Sequence, residues 1–202
     1  ILNITPDHLD RYAFDFTIYK KTKYRISKNQ ISSDVLIYNS DNINANEIKT
    51  SAKKIPISLN KQVKEGGYIN NNQIIININN TTMNIQDLAL QGKHNLFNSM
   101  AAAVAARVFE VKDSVIRQSM IDFQNIEHRL EHVITIHGID FINDSKATNI
   151  NATWFALESM NKKVVWIAGG VDKGNDYEKL NSLVKSKVKS IICLGKNNKN
   201  LI

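Results

Sequence analysis

The chain has 202 residues, 43% of them hydrophobic, enough for one large domain or two small ones around a buried core. Its 26 Lys and Arg exceed its 19 Asp and Glu to give a formal charge of +7, which suits an anionic ligand; the cations are dispersed and no aromatics interleave with them, which argues against a nucleic-acid surface. The single cysteine, Cys193 in "SIICLG", excludes a disulfide framework, and no apolar run of membrane-spanning length or signal peptide is present, so a reducing, cytoplasmic setting is expected.

After an opening loop, "DFTIYKKTKYRI" (15–26) carries Phe16, Tyr19, Lys23 and Ile26 at three- and four-residue steps, which predicts a helix with Lys23 on that face. "DVLIYN" (34–39) predicts a buried strand, and "KIPISL" (54–59) and "QIIININ" (73–79) predict two more around a Gly66-Gly67 turn. "HNLFNSMAAAVAARVF" (94–109), rich in alanine with one broad apolar face, predicts a long helix, and "KDSVIRQSMIDF" (112–123) a second. From residue 131 the pattern changes. Two strand-like runs in "HVITIHGIDFIND" flank a His137-Gly138 turn, followed by helix "NATWFALESM", strand "KVVWIAGG", helix "DYEKLNSLVKS" and strand "KSIICLG". This βαβαβ alternation predicts a parallel sheet whose ligands bind beyond the carboxyl ends of its strands. The change of pattern puts a domain boundary near "NIEHRLE". The chain opens without an initiator methionine and stops just after a strand-like run, which is expected of an internal piece of a longer fold.

Three strand ends in the second half are polar or glycine-rich: "NDSKATN", "GGVDKGND" and "GKNNKN". Helix N-termini expose unpaired amide donors, and Lys146 and Lys173 add full positive charges at two such mouths, so an anionic ligand fits there. Simple capping by Asn149 or Asn151 with solvated lysines is the competing reading. In "PDHLDRY", His8 and Asp10 stand two apart in an expected loop, as a hydrogen-bonded pair or as part of a metal site. Asn95 and Asn98 lie one turn apart at the start of a helix, where their amides either read a nucleobase edge or cap the helix. Arg129 in "EHRLE" is either a surface ion pair or a planar fork for phosphate or ribose.

Taken in order, "ITPDHLDRY", Lys23, "GKHNLFNSMAAA", "EHRLE", "NDSKATN" and "GGVDKGND" resemble the Mur ligase family over nearly the whole chain, with "NDSKATN" closest to its D-glutamate-adding branch. The resemblance implies an α/β protein: residues 1–127 as the C-terminal part of a central ATP-binding domain, and 128–202 as the N-terminal part of a Rossmann-like, parallel-sheet C-terminal ligase domain, both truncated. It implies ATP and Mg2+ as cofactors, UDP-N-acetylmuramoyl-L-alanine and D-glutamate as substrates, and amide formation through an acyl phosphate in peptidoglycan precursor synthesis, by a monomer without nucleic-acid or membrane partners. By the same resemblance, His8 and a carbamylated Lys23 hold magnesium, Asn95 and Asn98 lie by the adenine, and Arg129 and Asp144 lie near the ribose and phosphates. Lys146, Thr148 and Lys173 hold the D-glutamate carboxylates, and His8, Lys23 and Lys146 form the catalytic set. The family's phosphate loop and UDP-binding domain are expected upstream, and the last D-glutamate contacts downstream. Two alternatives stand beside this reading: another Mur ligase or folylpolyglutamate synthase-like amide ligase, which "NDSKATN" disfavours, and a non-catalytic nucleotide- or RNA-binding module, supported only by the charge.

Overall fold

The computed structural model describes residues 1–71, 73–79, 81–85, 88, 93–123, 126–170 and 176–195. The chain divides into two compact units, Ile1–Gln124 and Asn125–Ile202.

The first unit is built on a five-stranded mixed sheet in sequential order: β1 (Val35–Asn39), β2 (Lys53–Ser58), β3 (Gly66–Asn70), β4 (Gln73–Ile78) and β5 (Thr81–Ile85). β1, β2 and β3 run parallel, whereas β3–β4 and β4–β5 are antiparallel. The period-2 pattern of β4 sends Ile74, Ile76 and Ile78 to one face, where they are buried with Ile55 and Ile57 of β2. Helix α2 (Lys93–Val108) covers that face with Phe97, Met100, Ala103 and Val104, residues at three- and four-residue steps along one stripe. Helix α3 (Asp113–Asp122) adds Ile116 to the same core, and Arg107 Nη1 donates to Asp113 Oδ1 at 2.8 Å across the α2–α3 turn. A second cluster of Leu36, Tyr38, Ile43, Ile48 and Ala52 is joined by Ile1, Ile4 and Tyr24, so β1 is packed on both faces. Helix α1 (Phe16–Tyr24) is tied down by Lys20 Nζ, 2.5 Å from Glu47 Oε2.

The glycine pair does not form the expected turn; it opens β3. A side chain on Gly67 would strike Met100 and Val104, and one on Gly66, at φ 124°, would strike the Pro56 carbonyl. These residues are therefore glycine because backbone meets helix and neighbouring strand there, a demand that sequence alone does not distinguish from a turn. The hairpin turn falls instead between β3 and β4.

In the second unit, β6 (Glu131–Ile136) and β7 (Ile139–Asn143) form an antiparallel hairpin about His137 at φ 49° and Gly138 at φ 77°. Positive φ at both turn positions matches the twist of the flanking strands. Helix α4 (Ile150–Ser159) leads to β8 (Val164–Gly169), and a 3-10 turn at Tyr177–Leu180 with helix α5 (Asn181–Lys187) leads to β9 (Val188–Leu194). β8 and β9 are parallel, as the alternation predicts. β7 does not extend that pair: among the described residues it is bonded to β6 alone. Apolar runs reveal strands but not neighbours, and a two-residue turn favours the local antiparallel partner. Leu157 and Leu180 are buried, while Val165, Ile167, Ile192 and Leu194 stand exposed in one row on a face of the β8–β9 pair.

Candidate functional site

In the first unit the candidate residues begin in a strained segment. His8 at φ 51° opens a 3-10 turn over Leu9–Tyr12 where a loop is expected, and Ala13 at φ 52° and Phe14 at φ 56° close it. Left-handed backbone at residues with a Cβ costs about 1–2 kcal/mol each and concentrates where surrounding structure dictates geometry. The half-buried His8 pairs with Asp7 rather than Asp10, its Nε2 lying 3.7 Å from Asp7 Oδ1. Asp15 then caps α1 by accepting from Thr17 N at 2.6 Å and Ile18 N at 3.3 Å. One turn on, Tyr19 is buried, with Tyr12 edge-on at 5.2 Å and Phe16 stacked at 6.0 Å between ring centroids. Lys23 follows at the next turn, exposed, its Nζ 5.0 Å from the centre of the Tyr19 ring. It also lines a pocket of about 310 Å³ with Ile1, Leu2, Asn3, Ile26 and Leu36.

Among the described residues, no three His, Cys, Asp or Glu side chains gather as a metal cage. Magnesium prefers oxygen and is commonly held by one or two carboxylates while phosphates supply the rest, so in this pair the oxygen ligands come from Asp7 and His8 offers only a nitrogen. The Lys23 ammonium is a donor group and cannot ligate; a carbamate on the same nitrogen could.

On α2, Asn95 is half-buried and Asn98 exposed, one turn apart within the first two turns. The helix begins at Lys93, which leaves Asn95 inside its first turn rather than at the cap.

The second unit places "EHRLE" and "NDSKATN" side by side. Leu130 N donates to Asp144 Oδ1 at 3.1 Å, and Lys146 N donates to the His128 carbonyl at 3.1 Å. Asn143 is the hinge pin of this contact: its Oδ1 accepts from Ser145 N at 3.1 Å, while its Nδ2 lies 2.7 Å from His128 Nδ1 and 3.3 Å from Glu131 Oε2. Glu131 Oε2 also accepts from His128 N at 2.8 Å. The loop continues with Ala147 N bonded to the Asp144 carbonyl and Thr148 N to the Lys146 carbonyl, and Asn149 Oδ1 caps α4 by accepting from Ala152 N at 3.0 Å. The backbone is thus locked while the Lys146 and Thr148 side chains remain exposed ahead of a helix N-terminus. Arg129, also exposed, is carried on the neighbouring loop. Lys173 lies outside the described residues. His128, Glu131 and Asn143 were not singled out by sequence reasoning, and Tyr19 only as part of a helix face; the signal for the first three was that two polar motifs, each unremarkable alone, belong to the two ends of one hairpin.

Residues 1–106 match the Mur ligase middle domain, and residues 128–201 match the Mur ligase, glutamate ligase domain. The UDP-N-acetylmuramoylalanine–D-glutamate ligase of Christiangramia forsetii is 48% identical over 208 residues, a match that takes in 100% of this chain and 47% of that protein. The chain therefore spans about half the length of this relative. Among solved structures, MurF from Acinetobacter baumannii superimposes with a TM-score of 0.73 at 18% identity, covering 96% of this chain and 46% of that one. The MurF ligase of Thermotoga maritima in complex with ADP gives a TM-score of 0.67 at 12% identity, covering 99% and 53%. At these identities the structures speak for the fold alone. Matched in both halves, and across its whole length by a relative of such identity, the chain belongs to the Mur ligase family.

Proposed function

We propose that the full protein is a cytoplasmic, ATP-dependent ligase that adds D-glutamate to the L-alanine carboxylate of UDP-N-acetylmuramoyl-L-alanine in peptidoglycan precursor synthesis. The observation that carries this reading is the whole-chain identity to a relative of that name. One feature of the chain supports it. The loop ahead of α4 holds its backbone fixed and offers Lys146 and Thr148 outward, which suits a small dicarboxylate.

In the reaction, a substrate carboxylate oxygen attacks the γ-phosphorus of ATP, giving an acyl phosphate and ADP. The amine of D-glutamate then attacks the acyl carbon, and the tetrahedral intermediate expels phosphate as the amide forms and the nitrogen loses its proton. Catalysis of such transfers is chiefly positioning and charge stabilisation. Residues 1–127 belong, in this proposal, to the ATP-binding domain and 128–202 to the ligase domain. Asn95 and Asn98 present amide donors and acceptors to the adenine, and Arg129 and Asp144 address the ribose and phosphates. Lys146, Thr148 and Lys173 bind the D-glutamate carboxylates. His8 and Lys23 as its carbamate would hold magnesium, whose contribution is to neutralise charge on the phosphates. Carbamylation needs the neutral amine of Lys23 to attack carbon dioxide and lose a proton.

The test is an assay of the full-length protein with ATP, magnesium, UDP-N-acetylmuramoyl-L-alanine and a panel of amino acids. D-Glutamate alone should be consumed, with equimolar ADP and phosphate. Preference for any other amino acid, or no ATP turnover, overturns the assignment.

A further inference from the structure

We infer that Asn143, with Glu131 and His128, is a positioning clasp that sets the loop bearing Asp144, Lys146 and Thr148 against the loop bearing Arg129. The inference rests on the proposed ligase reading for its functional consequence, but its structural content stands on the hydrogen bonds alone.

Glu131 and Asn143 are directly opposed across β6 and β7, at the open end of the hairpin. Beyond that pair the two chains would diverge, since nothing in a hairpin's ladder holds residues past its last rung. The side chains of this rung extend the connection in both directions. Asn143 Oδ1 takes the amide of Ser145 in the loop that follows β7, which fixes the amide orientation and turns Nδ2 toward β6 and the loop before it. There Nδ2 meets His128 Nδ1 at 2.7 Å and Glu131 Oε2 at 3.3 Å. A donor facing Nδ1 makes that ring nitrogen the acceptor. Glu131 Oε2 closes the loop by taking His128 N at 2.8 Å. His128 at φ 64° and Leu130 at φ 46° sit in left-handed backbone, and it is this conformation that aims the His128 carbonyl and Leu130 amide at Lys146 and Asp144. Removing the Nδ2 donor would release two non-glycine residues from a conformation they avoid. The cost would fall on the two loops, because Asn143 and Glu131 are only half-buried and stand at the end of the β6–β7 ladder, where their side chains bond to the loops.

The discriminating variant is Asn143→Asp in the full-length protein. It keeps the size of the side chain and the acceptor for Ser145 N but faces Glu131 with a second carboxylate oxygen. We expect the KM values for D-glutamate and ATP to rise by roughly tenfold or more while kcat falls less, because positioning is lost and the substrate-touching groups are intact. Amide hydrogen exchange in the segment spanning 128–148 should accelerate, with the rest of the protein unchanged. Adding Glu131→Gln, whose amide can donate to the new carboxylate while its oxygen accepts from His128 N, should restore much of both effects. An Asn143→Asp protein with unaltered KM values and local exchange, or one that merely loses thermal stability without rescue by Glu131→Gln, overturns the clasp. A full-length protein that ligates no D-glutamate yet shows the local exchange change and its rescue would retain the clasp and refute the ligase reading.

Discussion

The ammonium of Lys23 stands 5.0 Å from the centre of the buried Tyr19 ring, one helical turn before it on α1. A ring face attracts a cation, and carbamylation would replace that cation with an anion and forfeit the contact. In the full-length protein, Lys23→Ala should lower amide formation by several orders of magnitude in a steady-state assay while leaving the thermal midpoint nearly unchanged, because Lys23 is exposed. Near-normal turnover would remove Lys23 from the catalytic set.

Tyr19 itself is a matter of packing. Its ring is held by Tyr12 and Phe16, so Tyr19→Ala should destabilise the first unit by about 3–5 kcal/mol, whereas Tyr19→Phe keeps the rings together. Denaturant titration of both variants measures the contrast, and equal losses would show that the hydroxyl rather than the ring matters.

Lys146 carries its charge on a locked loop. Neutralising it as Lys146→Gln should raise the KM for D-glutamate by roughly ten- to a hundredfold, with a smaller effect on the KM for ATP. An ATP effect as large as the D-glutamate effect would assign the residue to the phosphates.

Asp140 tests the electrostatics of the hairpin. A hydrogen bond from Thr135 Oγ1 at 2.8 Å is the main cause holding its carboxyl below the usual carboxylate range, with Lys162 and His132 contributing less. A depressed carboxyl contributes stability that is complete above its unfolded value and is lost as pH falls through its folded value. Thr135→Val should therefore move the Asp140 titration upward toward its ordinary range, as followed by carbon-detected NMR. An unshifted titration would mean that the neighbouring charges, not the hydroxyl, depress it.

Elements that announce themselves by period were legible in the sequence: the alternating isoleucines of β4, the alanine-rich α2, and the α4–β8–α5–β9 alternation. What escaped had physical reasons. β3 hides behind glycines that are required by close approach of Met100 and Val104, and β5, "TTMNI", is too polar to stand out. β7's pairing with β6 alone was not legible, because strand neighbours depend on hydrogen bonding that hydropathy does not encode. At the candidate site, the residues that would touch ligands could be picked by resemblance of motifs. The residues that place them, Asn143 and Glu131, could not, since their role exists only once the hairpin brings positions twelve apart in the chain to one rung.

The unequal burial in the two units has a consequence for how the molecule comes apart. The first encloses Ile55, Ile57, Ile74, Ile76, Met100 and Val104 almost completely, whereas the second, among its described residues, seals only Leu157 and Leu180 and leaves a row of branched side chains in water. Local opening free energy follows buried apolar area. Among the described residues, amide exchange should therefore run faster through β8 and β9 than through β2 and β4, and a small anion seated ahead of α4, as proposed above, would slow exchange in the second unit before it altered the first.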